Sequence, residues 1–142
     1  MGTRKESWES VSTSLVITKS DLSPDFISEK LSLNASFARL PGETPAFREG
    51  VGCWTYGYDE SFSPSVEDQL QALSGQLESR RAALAELVSQ GYSVQIDITG
   101  SVETGVALWL SPTILNRVKE LGVPLSFTSR CAPLKDEFDW LS

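Results

Sequence analysis

Apolar residues fall on two rhythms along the chain. In Ser93-Val94-Gln95-Ile96-Asp97-Ile98-Thr99 they alternate strictly with polar ones, the pattern of a strand with one buried face. Residues 15–18, 52–58, 106–110 and 125–128 are β-rich or alternate in the same way and predict further strands. Gly100-Ser101 lies between the Val94 and Val106 runs and predicts a hairpin turn there. Residues 34–51, with Pro41-Gly42, Pro45 and Gly50, read as a loop.

Elsewhere the spacing is helical. Ser23-Pro24, Ser63-Pro64 and Ser111-Pro112 each precede a stretch with apolar residues three and four apart. A serine hydroxyl accepts from an orphan backbone N–H at a helix start, and proline suits the first helical position. Helices are therefore predicted over 24–33, 64–90 and 112–121, with Gly91 and Gly122 placed for left-handed caps after the second and third. Phe26, Ile27, Leu31 and Leu33 form the apolar stripe of the first, and Ile114, Leu115, Val118 and Leu121 that of the third. The long helix carries Val66, Leu70, Leu73, Leu77, Leu84 and Leu87, with Arg80 on the seam where a further leucine is expected. Such a seam serves either a coiled-coil partner or packing across the chain's own sheet. Asp59, Glu60, Glu67 and Asp68 precede or open this helix, where carboxylates complement the positive end of its dipole.

The element order is then β-α-β-α-β-β-α-β. Two βα units share the same Ser-Pro start signal, as in a ferredoxin-like sandwich. The expected fold is α+β: a mainly antiparallel sheet of about five strands with three helices on one face, a split βαβ variant with the long helix inserted between its halves. Residues 1–10 read as a flexible N-terminus, 11–131 as one domain, and 132–142 as an acidic-aromatic tail.

Composition narrows the chemistry. The chain has 142 residues, 12 Lys and Arg against 19 Asp and Glu, a net charge of −7, and no His. Lack of His removes Ser-His-Asp triads, Cys-His pairs and the usual general base. The acidic balance argues against nucleic acid, whose phosphates call for cations. Cys53 and Cys131 read as two free thiols, with a disulfide or a two-thiolate metal site as the alternative, although a zinc site would lack two of its usual four ligands. Neither a cofactor nor a metal is implied. The start, Met1-Gly2-Thr3-Arg4-Lys5-Glu6-Ser7, has no apolar core for a secretory signal, and no run approaches the roughly 20 apolar residues of a membrane helix. A cytoplasmic location without membrane contact is expected.

Leu22-Ser23-Pro24-Asp25-Phe26-Ile27-Ser28-Glu29-Lys30-Leu31 after the first strand, the Gly52–Trp54 strand, the leucine-rich long helix and the stretch from Leu115 to Phe127, with Leu121-Gly122 before the last strand, carry a likeness. Over about residues 11–130 the chain resembles a family of small, mostly bacterial proteins, the domain of unknown function four-two-seven-nine. The resemblance implies a small cytosolic α+β domain. It implies no reaction and no catalytic residues.

Candidate sites follow from the sheet. If Val94, Ile96 and Ile98 face the helices, Gln95, Asp97 and Thr99 face the other way, and Trp109 shares that opposite side. Trp54, Tyr56 and Tyr58 fall together on one side, which the alternation leaves open. An aromatic-polar face of this kind suits a protein partner or a small ligand; alternatively Trp109 packs under the tail, the 34–51 loop or a homodimer contact. Aromatics on an open sheet can also stack RNA bases, but the flanking Arg and Lys are missing. Asp97 and Glu103 flank the expected hairpin and form a carboxylate pair suited either to acid–base work or to a solvated edge. In the tail, Phe138 and Trp140 interleave with acidic residues, as a docking motif or as anchors folding back on the domain.

These features point to a non-enzymatic protein-binding domain, an inhibitor or immunity-type factor for a basic protein, acting as monomer or homodimer. The alternative is a small-molecule binding or sensor domain with a pocket between the sheet and the 34–51 loop.

Overall fold

A computed structural model of the chain describes residues 9–41, 51–102 and 107–131. In chain order these form β1 (Glu9–Lys19), α1 (Pro24–Leu31), β2 (Phe37–Arg39), β3 (Gly52–Tyr58), α2 (Val66–Leu77), a 3-10 turn (Glu78–Arg80), α3 (Arg81–Ser89), β4 (Ser93–Val102), α4 (Pro112–Leu121) and β5 (Leu125–Cys131). The five strands make one sheet in the order β2-β3-β1-β4-β5. β1 is antiparallel to both β3 and β4, and β2 is antiparallel to β3, whereas β5 runs parallel to β4. The fold is α+β with a mixed sheet, not a purely antiparallel one. α4 is the reason: parallel neighbours need a crossover, and this helix supplies it between β4 and β5.

The helix starts carry the expected chemistry at two of three places. The Ser23 hydroxyl accepts from Phe26 N–H and the Ser111 hydroxyl from Ile114 N–H, each followed by proline. At the third, the cap is Ser65, which accepts from Asp68 N–H, while the Ser63 hydroxyl donates to Asp68. Gly122 ends α4 in the left-handed region at φ 76°, as its position foretold. The expected helix over 64–90 is divided by the 3-10 turn at Glu78–Arg80.

Three other expectations change. Gly100-Ser101 is no turn: β4 continues through it, with Gly100 aligned to Ser129 and Ser101 to Arg130. Residues 107–110 form no strand; Leu108 and Leu110 pack on the core from an irregular segment, and alternation alone does not make a ladder. The 34–51 stretch contains β2, three residues long and paired to β3 through Phe37↔Thr55. The element order is therefore β-α-β-β-α-α-β-α-β. Residues 1–8, 42–50 and 132–142, and with them Phe138 and Trp140, lie outside the described residues, as does Glu103.

Alternation divides the sheet into two faces. Val11, Thr13, Leu15 and Ile17 of β1 and Val94, Ile96 and Ile98 of β4 are buried. They meet Ile27 and Leu31 of α1, the leucines of α2 and α3, and Ile114, Val118 and Leu121 of α4 in one core. At roughly 25 cal/mol per Å² this apolar burial is the main stabilising term. Helix polar groups staple the layer: Lys30 pairs with Glu86 at 2.7 Å, Arg117 with Glu78 at 2.9 Å, and Glu67 accepts from Ser111 N–H.

Candidate functional site

Register decides which predicted site residues share a face. Ile17 aligns with Trp54, Leu15 with Tyr56 and Thr13 with Tyr58. Aligned residues of neighbouring strands point the same way, so the three aromatics lie on the helix side. Trp54 has 0% exposure, and its indole N–H donates to the Ser28 hydroxyl on α1 at 3.0 Å. It is a core residue. Its ring stacks on Tyr56 at 6.4 Å, Tyr56 meets Tyr58 edge-on at 6.0 Å, and Tyr58 contacts Phe62 at 4.7 Å. Burial, reinforced by the neighbouring Tyr56 hydroxyl, pushes the Tyr58 phenol up to about 12. Trp109 is 76% exposed, in the irregular segment before α4, and is not on a strand.

Gln95, Asp97 and Thr99 do come together on the opposite face. Val16 aligns with Gln95, Ser14 with Asp97 and Ser12 with Thr99. On the far side of β4, Asp97 aligns with Ser126 and Thr99 with Thr128. One carboxylate oxygen of Asp97 accepts from Ser126 at 2.8 Å and from Thr128 at 3.1 Å. The Gln95 amide donates to Ser126 at 3.3 Å, and the Ser12 and Thr99 hydroxyls share a hydrogen bond at 2.7 Å. These side chains are half-buried or exposed, and the core helices pack on the other face. The result is a hydroxyl-lined sheet surface around one carboxylate. Phe37 and Arg39 of β2 lie at its far edge by register.

At one corner this face opens into a cleft of about 410 Å³. Ser12 and Ser14 of β1, Ser36 before β2, Gly57 of β3 and Asp59 and Phe62 of the loop after β3 line it. Its floor requires glycine: a Cβ on Gly57 would lie 2.1 Å from the Thr13 carbonyl oxygen and 2.6 Å from Ser14 Cα. Beside it β1 bulges between Glu9 and Ser12, with Ser10 in the left-handed region at φ 53°. Ser10 N–H donates to the Glu60 carboxylate at 2.7 Å. Ser61 donates to Asp59 through N–H at 2.9 Å and hydroxyl at 2.5 Å. Those bonds hold the Asp59 carboxyl below the usual carboxylate range. Of the 34–51 segment, expected to form a pocket against the sheet, only Ser36 lines this cleft, and residues 42–50 lie outside the described residues; nothing in the alternation marks the serines that line it.

Other chemistry is sparse. Cys53 is buried and aligns with Thr18, which aligns with Ser93, whereas Cys131 aligns with Val102. Those positions, the two ends of β4, are nine residue steps apart, about 30 Å at 3.3 Å per residue, so the two cysteines are too far apart for a mutual disulfide. Among the described residues no group of three His, Cys, Asp or Glu is placed to hold a metal ion. No described helix is long and apolar enough to cross a membrane.

A family model matches residues 9–132, from the first strand to just past the end of the last. The chain belongs to the family Domain of unknown function (DUF4279). No curated protein and no solved structure matches it. In this DUF4279 domain the matched span takes in both the sheet face and the cleft at its corner.

Proposed function

We propose that this DUF4279 protein is a binding module, not an enzyme, that docks a basic protein partner on the sheet face its helices leave uncovered. The carrying observation is the hydroxyl network centred on Asp97. Half-exposed Ser, Thr and Gln side chains there can exchange their mutual hydrogen bonds for bonds to a partner, and the carboxylate supplies charge. The net charge of −7 favours steering of a basic surface. An inhibitor or immunity-type factor for a basic toxin or nuclease has this character. We read β4-β1-β3-β2, with β1 and β2 linked through α1, as a ferredoxin-like sheet to which α4 and β5 are appended. Such sheets offer one free face. The alternative, a small-molecule binding or sensor domain with its pocket between the sheet and the 34–51 loop, has Ser36 in the cleft wall in its favour.

The test is capture from host lysate at low and high salt by three chains: wild type, Asp97→Asn with Thr128→Lys on the sheet face, and Glu29→Lys on α1. A basic protein bound at low salt, released at high salt, lost with the sheet-face variant and kept by the helix variant is the expected result. Equal capture by both variants would place the contact elsewhere and overturn the proposal.

A further inference from the structure

We infer that the corner cleft is a receptor for a single cationic side chain, an arginine or lysine, held between the Asp59 carboxylate, the serine hydroxyls of β1 and the Phe62 ring. The inference rests on the proposed docking of a basic partner and names where that partner's anchor enters.

The cleft volume of about 410 Å³ falls within the range of real ligand sites. Its wall chemistry selects the occupant. Ser12, Ser14 and Ser36 present hydroxyls that accept as well as donate; Ser12 already shares a bond with Thr99 and Ser36 already accepts from Gly57 N–H, and each hydroxyl oxygen has two lone pairs. Asp59 supplies a negative charge, and its hydrogen bonds from Ser61 favour the ionised form. Among the described residues Lys19 pairs with Asp21, Lys30 with Glu86 and Arg117 with Glu78, and none of these pairs neutralises Asp59. Glu60 is already bonded to Ser10 N–H. An anion would meet uncompensated like charge, and an apolar group would strip water from hydroxyls without replacing their bonds. Phe62 is 52% exposed and braced by Tyr58 at 4.7 Å; its ring face attracts a cation.

A second cleft of about 460 Å³ is also lined by Phe62, together with Asp68. It is a poorer cation site for a physical reason. Asp68 accepts from the Ser63 hydroxyl at 2.9 Å and sits in the first turn of α2, where the positive end of the helix dipole already balances its charge.

The test uses the full chain, isotopically labelled, in an amide chemical-shift titration. The probe is N-acetyl-arginine amide, with N-acetyl-citrulline amide as its uncharged match. Saturable shifts clustered at Ser12, Ser14, Gly57 and Ser61 are expected with the arginine compound. Asp59→Asn, which keeps an acceptor for Ser61, should weaken binding about fivefold or abolish it, and Phe62→Ala should also weaken it. Shifts absent from a folded spectrum, equal shifts with the citrulline compound, or unchanged binding by Asp59→Asn would each overturn the assignment. If the arginine probe fails while a basic protein is still captured on the sheet face, only the cleft assignment falls. If the probe binds and no basic protein is captured, the cation site stands and the docking proposal falls.

Discussion

Gln69 ties the long helix to the sheet from inside the core. Its side-chain oxygen accepts from the buried Thr13 hydroxyl at 2.9 Å, and its amide donates to the carbonyls of Ser63 at 2.7 Å and Val11 at 3.2 Å. One turn and a half along the same helix, Ser74 is equally buried, yet its hydroxyl has no hydrogen-bond partner among the described residues. The two polar residues should therefore respond oppositely to removal. Gln69→Leu strands a buried hydroxyl and two carbonyls and should cost about 2–3 kcal/mol. Ser74→Ala loses no bond, sheds the desolvation cost of a hydroxyl, and should be neutral or stabilising by up to about 1 kcal/mol. Urea denaturation of both variants measures this; a Ser74→Ala loss as large as that of Gln69→Leu would contradict the bonding pattern. Neither role could be read from the sequence, because a polar residue on an apolar helix face declares no partner until the register of β1 is known.

Tyr58 makes a pH-dependent prediction at the same scale. Burial raises its pKa from 10.0 to about 12 in the fold, with the Tyr56 hydroxyl reinforcing the shift. The folded state thus holds the phenolic proton more tightly than the unfolded chain does. That stability is fully present below about pH 10 and is lost as pH rises toward 12. Unfolding free energy should fall over this window, and Tyr58→Phe should flatten the fall. An unchanged slope in the variant would mean that another group titrates.

Among the elements, the joint between α2 and α3 matters most. Arg80 sits there because the leucine seam skips a position, and the skip is where the helix breaks. Its guanidinium donates to Leu31 O at 2.5 Å, to Ser32 O at 3.5 Å and to Gln76 O. It therefore covers exposed carbonyls at the C-terminal ends of α1 and α2, where a cation also opposes the negative end of each dipole. Arg80→Ala should cost about 1–3 kcal/mol. Arg80→Lys should recover little, since one ammonium cannot span both helix ends; full recovery by lysine would reduce the role to charge alone. The spacing of Val66 through Leu87 revealed the helical face but not its interruption. β2 was illegible for another reason: three residues are too few to show a period, and only pairing to β3 makes them a strand. Leu108 and Leu110 misled in the opposite direction, because inward packing of an irregular segment copies the alternation of a strand.

Across the whole molecule, the layers differ in how their polar groups are used. Lys30, Arg80, Arg81 and Arg117 are all bonded within the helix layer, to carboxylates or helix-end carbonyls. On the other side of the sheet, Ser12, Thr99, Ser126 and Thr128 bond mainly to one another and to Asp97. The alternation from Val94 to Ile98 made that face legible in advance. The removal of Trp54, Tyr56 and Tyr58 to the core side was not legible, because register between β1 and β3 decides it.

The most direct test of a basic partner on the face opposite the helices is an amide chemical-shift map of the labelled protein with an oligolysine peptide at low salt, with oligoglutamate as the control. Shifts concentrated at Ser12 to Val16, Gln95 to Thr99 and Ser126 to Thr128, abolished by salt and absent with oligoglutamate, are expected. Shifts concentrated on α2 and α4, or equal with both peptides, would contradict docking on that face.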